Sequence, residues 1–222
     1  MEEPVEHDVL LELLGEATVQ DEAAQLVVLL LEVAPGQRVL DACAAPGGKT
    51  SFVYELTGGG AKIVAVDVSP KRVSILRDAL SGTNVDIIQA DLKAVSFSEG
   101  FDRIVLDAPC SSLGVVRKNP DVKFHVTAER LKDLQEKQLQ LLESAGRFLS
   151  SGGVLVYSVC SFEEEETTEV VKRYLNKYPD FFIIKDRQPS FVKPFISEEG
   201  YFYTFPHRHH MDGHFAVKIG RK

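Results

Sequence analysis

The sequence predicts an α/β fold: a mixed sheet, mostly parallel, with an antiparallel C-terminal hairpin and helices on both faces. Three observations predict it. Short β-branched runs alternate with helical segments through most of the 222 residues. Each of the first five predicted strands runs into an acid or a cysteine loop, where open α/β sheets hold their ligands. Two aromatic runs near the end are separated by only a short loop, which suggests an antiparallel hairpin at the sheet edge.

The elements follow in order. Asp21–Val33 reads as an amphipathic helix. Gln37–Leu40, entered from Pro35-Gly36, is a short buried strand, and a glycine turn leads into a helix over Lys49–Thr57. Ile63–Val66 is a strand ending at Asp67. Pro70 fits the first turn of a helix reaching about Leu80. Val85–Gln89 ends before Asp91, and Arg103–Leu106 ends at Asp107. An irregular stretch, Ala108–Lys123, precedes a helix from about Thr127 to Leu149. Gly152-Gly153 opens the strand Val154–Val159, which ends at Cys160. Glu163–Tyr178 reads as a helix, and Tyr201–Phe205 and His214–Ile219 are the closing strands.

The net charge of −8 argues naively against a nucleic-acid partner. Its distribution weakens that argument. Residues 1–32 hold nine acids and no Lys or Arg, leaving residues 33–222 at +1. From Lys185 onward seven Lys/Arg face four Asp/Glu. The apolar run Leu26–Leu31 is far too short to span a bilayer. No tripartite leader opens the sequence, so a cytoplasmic location is expected. Three cysteines without a CxxC pair indicate neither a disulfide set nor a Cys-rich zinc site.

All three cysteines fall in strand-end loops: Asp41–Thr50, Asp107-Ala108-Pro109-Cys110 and Ser158-Val159-Cys160-Ser161. Structural cysteines should scatter over element interiors instead. Gly48-Lys49-Thr50 mimics the end of a phosphate-binding loop, but Cys43 stands where that loop needs its first glycine, and GxGxxG is absent. What remains is a small-residue turn that lets a ligand approach a helix N-terminus. Its plainer reading is a tight β–α turn. Asp67 is placed to accept ribose hydroxyls, and its alternative is a helix cap. Asp91 has the same alternative. Together with the glycine turn, the two acids point to an adenosine-containing cofactor. Asp107, Cys110 and Cys160 would converge beside it if the fourth and fifth strands are neighbours, and a thiolate is an accessible nucleophile near neutral pH. The plainer reading of either cysteine is a small apolar filler.

Asp41–Thr50 (DACAAPGGKT), Asp107–Gly114 (DAPCSSLG) and Tyr157–Ser161 (YSVCS) resemble the Sun/nucleolar-protein family of RNA cytosine-5 methyltransferases. Within that family the likeness is greatest to the bacterial Sun/Fmu type, which acts on 16S ribosomal RNA. Thr18–Asp21, Pro206-His207 and Asp212-Gly213 share in the likeness, which spans roughly residues 17–217. The resemblance implies a class I, Rossmann-like methyltransferase fold, with residues 1–16 an acidic lead-in and 17–222 the catalytic domain. It implies S-adenosyl-L-methionine as cofactor and RNA as partner, with ribosomal RNA expected and transfer RNA the alternative. No metal and no membrane partner are implied. By motif position, Cys43, Ala44, Ala45, Pro46, Gly47, Gly48 and Lys49 would wrap the cofactor's methionine and ribose. Asp67 would hold the ribose hydroxyls, Asp91 would lie near the adenine, and Asp107 would line the site between cofactor and cytosine. Cys160 would be the nucleophile and Cys110 the product-releasing cysteine. Family members of this type usually carry an additional N-terminal RNA-binding region. His214 stands where the family commonly has an aromatic.

Cytosine C5 is too weak a nucleophile to take a methyl group unaided. A thiolate added to C6 raises electron density at C5, and elimination follows methylation. The target base must leave any stack, which favours unpaired RNA. Two other functions compete: a DNA cytosine methyltransferase using Cys110, and a non-catalytic ribosome-assembly subunit. The Cys160 loop speaks against the first, and the retention of both loop cysteines and the strand-end acids against the second. Glu163–Glu166 reads as a solvated first turn of a helix. His207, His209, His210 and His214 lack the spacing of a zinc site and are read as non-ligands. Arg117, Lys118 and Lys123 are candidate phosphate contacts.

Overall fold

The computed structural model describes residues 19–222. The lead-in assigned to residues 1–16 lies outside the described residues, as do positions 17 and 18. In chain order come α1 (Glu22–Leu29), β1 (Arg38–Asp41), α2 (Gly48–Leu56), β2 (Lys62–Asp67), α3 (Pro70–Ala79), β3 (Asp86–Gln89) and β4 (Phe101–Asp107). Two 3-10 turns, Leu113–Val115 and Pro120–His125, precede α4 (Ala128–Arg147) and β5 (Leu149–Val159). A 3-10 turn at Glu164–Glu166, α5 (Thr168–Lys177), β6 (Phe181–Ile183), a turn at Lys193–Phe195, β7 (Tyr201–Thr204), α6 (Pro206–His209) and β8 (His214–Arg221) complete the chain.

Three helices begin where the sequence supplies a side-chain cap. Asp21 accepts from the Ala23 N–H, Ser69 from Arg72 ahead of Pro70, and Thr127 from Arg130. The strands form one mixed sheet in the order β3-β2-β1-β4-β5-β8-β6, with β7 also paired to β8. Strands β1 to β5 are parallel, and β8 is antiparallel to β5, β6 and β7. Strand alternation sends Val39, Val105 and Val156 to one face, where Val27 and Val28 of α1 and Val53 of α2 cover them. Leu40, Ile104, Leu155 and Tyr157 pack on the other, under α4 and α5. Both faces are therefore core, as a mostly parallel sheet requires. Among the described residues no helix is long and apolar enough to cross a membrane.

The closing strands do pair antiparallel, but β8 is not an edge strand. His214 to Gly220 are all buried. A strand with apolar side chains on both faces is most stable between neighbours, so β8 docks on β5 while β6 and β7 share its outer side. Strand β6 has only three residues, too short for alternation to reveal. Gly152-Gly153 lies inside β5, which starts at Leu149, and Gly152 takes φ 74°. The helix expected over Glu163–Tyr178 is broken at Thr167 (φ −116°, ψ −100°), where the chain turns Glu166 inward.

Candidate active site

The loops after β1, β2, β3, β4 and β5 meet at the carboxyl end of the sheet. The turn from Cys43 to Gly48 is anchored by the Ala44 N–H, which donates to the Val66 carbonyl at 3.0 Å. Gly47 has φ 120°, and a Cβ there would lie 3.1 Å from Leu76 Cδ1, so the turn needs glycine at this point. Below it, Thr50 Oγ1 donates to buried Asp41 Oδ2 at 2.7 Å. Burial pushes the Asp41 carboxyl up to about 6, although the Thr50 hydrogen bond works the other way. Burial, with Asp41 next to it, also raises the Cys43 thiol far above its ordinary range. Cys43 is therefore an inert wall rather than a nucleophile.

A cavity of about 360 Å³ opens beside this turn, walled by Asp67, Asp91, Arg72, Pro109 and Leu141. Asp67 accepts from the Ala45 N–H at 3.3 Å and from the Ser69 N–H at 3.0 Å, and the Arg72 guanidinium lies 3.3 Å away. The carboxylate is thus held rigidly, with lone pairs left for a ligand. Asp91 accepts from the Lys93 N–H at 2.9 Å and shapes its own turn at the cavity wall. A second cavity, of about 450 Å³, lies across the Cys43–Lys49 turn. It reaches Asp107 and is rimmed by Asp21, Lys118 and Asp212.

Parallel pairing of β4 with β5 puts Asp107 opposite Ser158. Ser158 Oγ donates to Asp107 Oδ1 at 2.8 Å, and Lys49 Nζ donates to Asp107 Oδ2 at 2.6 Å. Burial opposes ionisation of Asp107, but Lys49 and Ser158 outweigh it and hold the carboxyl below its ordinary range. The loops after the same two strands bring Cys110 Sγ and Cys160 Sγ within 3.0 Å. The two thiols differ. The hydrogen bond from Cys110, helped by Ser112 at 3.7 Å and by Lys49, lowers Cys160 against its own burial. The same hydrogen bond, with burial, drives Cys110 well above its ordinary range. The proton is therefore held more firmly on Cys110, and Cys160 is the thiol of the two that ionises more readily.

Several residues that build this pair lay outside the sequence reading. Glu166 is fully buried, not solvated. Its carboxyl oxygens accept from the Ser111 N–H at 2.7 Å, from the Ser111 hydroxyl, and from Gln138 Nε2 at 3.0 Å. Ser111 Oγ in turn meets Ser161 Oγ at 3.2 Å, so one carboxyl ties both cysteine loops together. Gly114 and Gly213 pass so closely that a Cβ on Gly114 would sit 1.9 Å from the Gly213 carbonyl oxygen. Lys118, read as a phosphate contact, is paired instead with Asp21 at 2.7 Å and Asp212 at 2.8 Å. It joins the chain before α1 to the loop before β8. Only the spacing of Glu166 after Cys160 could have hinted at any of this.

His214 lies next to Cys160 across the β5–β8 ladder, one step beyond the Val159–Phe215 pair. It is buried, its Nδ1 has no partner, and burial with Lys49 nearby lowers it to about 4. The unfolded chain then binds a proton between about pH 6.5 and pH 4 that the folded chain refuses, so this residue costs stability as pH falls through that window. Asp41 works in the opposite direction. His214→Phe is therefore expected to gain on the wild type by up to about 3 kcal/mol between pH 7 and pH 4. Chemical denaturation at both pH values measures it, and a constant difference between the two proteins refutes the assignment.

A part-buried ion pair, a readily ionised thiol beside a second thiol and an aspartate-walled cavity form one constellation suited to covalent chemistry on an electrophilic ring next to a nucleoside-like ligand. A protein-family model described as 16S rRNA methyltransferase RsmB/F matches residues 28–220. The probable ribosomal RNA small subunit methyltransferase B of Bacillus subtilis is 34% identical over 217 residues, covering 94% of this chain and 48% of that protein. The ribosomal RNA small subunit methyltransferase B of Pseudomonas putida is 45% identical over 170 residues, covering 74% and 39%. The chain thus spans about half the length, or less, of these curated relatives. Among solved structures, NSun6 from Pyrococcus horikoshii with SFG superposes with a TM-score of 0.81 at 27% identity, over 91% of this chain and 52% of that one.

Proposed function

Since the chain belongs to the RsmB/F family of 16S rRNA methyltransferases and has the class I methyltransferase fold, we propose that it methylates carbon 5 of a cytosine in RNA, using S-adenosyl-L-methionine. Small-subunit ribosomal RNA is the substrate class this reading favours. The observation that carries it is the 3.0 Å Cys110–Cys160 contact beside the Lys49–Asp107 pair. The fold has no structural need of two free thiols in contact, and C5 methylation needs a nucleophile and a base together.

The cavity suits the cofactor. Its size falls within the range of small-molecule sites, and its apolar walls carry the two aspartates that a nucleoside requires. SFG, present in the NSun6 structure, is an S-adenosylmethionine analogue. In this reading Asp67 accepts the ribose hydroxyls, Asp91 lies near the adenine, and the turn Cys43–Lys49 follows the rest of the molecule. When bound, the cofactor supplies an electrophilic methyl group. The chain's residues do the remaining work. The Cys160 thiolate forms a bond to cytosine C6, and the C5–C6 electron pair moves to C5. Asp107, aimed by Lys49 and Ser158, holds the cytosine by accepting from its N4 amino group, and the Lys49 ammonium beside it offsets the charge that builds on the ring. After methylation a base takes the C5 proton, the role proposed for Cys110 once its own proton has passed to solvent; the C5–H electron pair restores the double bond as the Cys160–C6 bond breaks and its pair returns to Cys160. Cys110 assists this release. The wider partner reading, RNA without a membrane role, and the division into a lead-in and a catalytic domain over 17–222 belong to the same proposal.

Labelled methyl transfer to unmodified small-subunit ribosomal RNA tests the reading. The label should appear as 5-methylcytosine on nuclease digestion, and label on any other atom overturns it. At the cofactor, Asp67→Ala should weaken S-adenosylmethionine binding about ten- to a hundredfold. Part of that loss comes from freeing Ala45, Ser69 and Arg72. Titration calorimetry showing unchanged affinity removes Asp67 from the site.

A further inference from the structure

Phe124 is 73% exposed, the most exposed phenylalanine among the described residues, against 52% for Phe191 and 43% for Phe182. It does not sit on a frayed loop. Pro120 starts its 3-10 turn, Val122 donates to the Asn119 carbonyl at 3.2 Å, and Arg130 Nη1 from α4 donates to the His125 carbonyl at 2.9 Å. The backbone is held on both sides while the ring is left in solvent. Lys123 Nζ stands over one face of the ring, 5.0 Å from its centroid, and the side chains of His125 and Arg130, near it in the chain, are exposed. This turn continues the loop that holds Cys110. Gly114 of that loop donates to the Cys160 carbonyl at 2.9 Å, and Lys118 lines the cavity that reaches Asp107.

An exposed planar ring with an ammonium over one face fits one partner class better than any other. A protein partner would want a broader apolar surface around the ring. A nucleobase wants an aromatic face with positive charge nearby for its phosphates. We propose that Phe124 is a stacking platform for an unpaired base of the RNA substrate, flanking the cytosine that enters the Cys110–Cys160 site, with Lys123 and Arg130 at the adjacent phosphates. This deepens the function proposed above and rests on that reading. It assigns substrate register to the turn Pro120–His125: the stacked neighbour holds the strand while the target base turns inward.

The test uses the full chain with three variants, Phe124→Ala, Phe124→Leu and Phe124→Tyr. The probe is a fluorescein-labelled single-stranded RNA carrying the sequence of small-subunit ribosomal RNA, alone or annealed to its complement. Fluorescence anisotropy should show Phe124→Ala binding the single strand about tenfold more weakly, and Phe124→Leu equally so, with Phe124→Tyr near wild type. The duplex, whose bases are already stacked, should bind all four proteins alike. S-adenosylmethionine affinity by calorimetry should not change. In methyl transfer, Phe124→Ala should raise KM for RNA and leave kcat within about twofold. Wild-type behaviour of Phe124→Leu overturns stacking, since leucine matches the apolar bulk without the planar face. Equal loss on single strand and duplex also overturns it, as does lost cofactor binding in Phe124→Ala. If the wild type transfers no methyl group to RNA, the proposed function fails, and the binding arm still decides the platform.

Discussion

Cys160→Ala is expected to abolish methyl transfer, by on the order of 10³-fold or more, because no other group can raise electron density at cytosine C5. Folding should be spared, since alanine differs from cysteine by one sulfur atom at a site that is only partly buried. Cys110→Ala should behave differently. It removes the thiol in contact with Cys160 at 3.0 Å, so Cys160 loses its largest acidifying contact and attack slows. Attack still occurs, and methylation follows. Release fails, and RNA stays attached through Cys160. A denaturing gel with labelled RNA and cofactor reads this directly, because a thioether to C6 does not depend on folding. The adduct should appear with Cys110→Ala and be absent from Cys160→Ala and the double variant. The reverse pattern, an adduct only when Cys160 is replaced, makes Cys110 the nucleophile, as in the DNA-type chemistry. The difference in proton affinity between the two thiols is the physical ground for expecting the first pattern.

Glu166→Ala should be the most damaging change away from the reacting atoms. Its carboxyl receives the Ser111 N–H, the Ser111 hydroxyl and Gln138, all in a fully buried place. Truncation leaves those donors without partners, at a cost of about 3 kcal/mol, or a fall in Tm of roughly 6–12 °C. The activity loss should exceed the stability loss. Measured well below Tm, kcat should drop at least about tenfold, because Ser111 and Ser161 no longer hold the cysteine loops in register. Cofactor affinity should fall much less than kcat, since Asp67 and Asp91 lie on other loops and only Pro109 and the α4 wall join the cavity to the Glu166 network. Glu166→Gln keeps one acceptor oxygen and should fall between the wild type and alanine in both measurements. Full kcat in Glu166→Ala below its Tm would leave Glu166 a folding residue with no positioning role.

The alternation of β-branched and helical segments was sufficient for the architecture, because burial on two faces of a parallel sheet writes itself into local runs such as Ile63–Val66 and Arg103–Leu106. Strand-end placement of Asp67, Asp91, Asp107, Cys110 and Cys160 was legible for the same reason: once the strands are found, the loops after them share one end of the sheet. Strand β6 was not legible, and neither was the insertion of β8 between β5 and the outer strands. Both depend on which edges meet, and local hydrophobicity carries no record of that. The inward turn of Glu166 was hidden within a run of four glutamates that any charge argument places in solvent.

What the amino-acid sequence determined by itself was therefore the fold class, the positions of the first five strands along the chain and the short list of chemical groups at their ends. What only the tertiary structure decided was how those groups differ from one another. Cys43 and Cys160 are the same side chain in similar loops. One is sealed beside Asp41 and driven up, while the other receives a hydrogen bond from Cys110 and is drawn down. Lys118 and Lys123 are near neighbours in one basic loop, yet one is bound to Asp21 and Asp212 while the other remains beside an exposed ring. Ionisation and pairing depend on the distances to every nearby charge and on the water removed from around them. Those distances are set by residues as far apart as Asp21 and Asp212, so no local reading contains them.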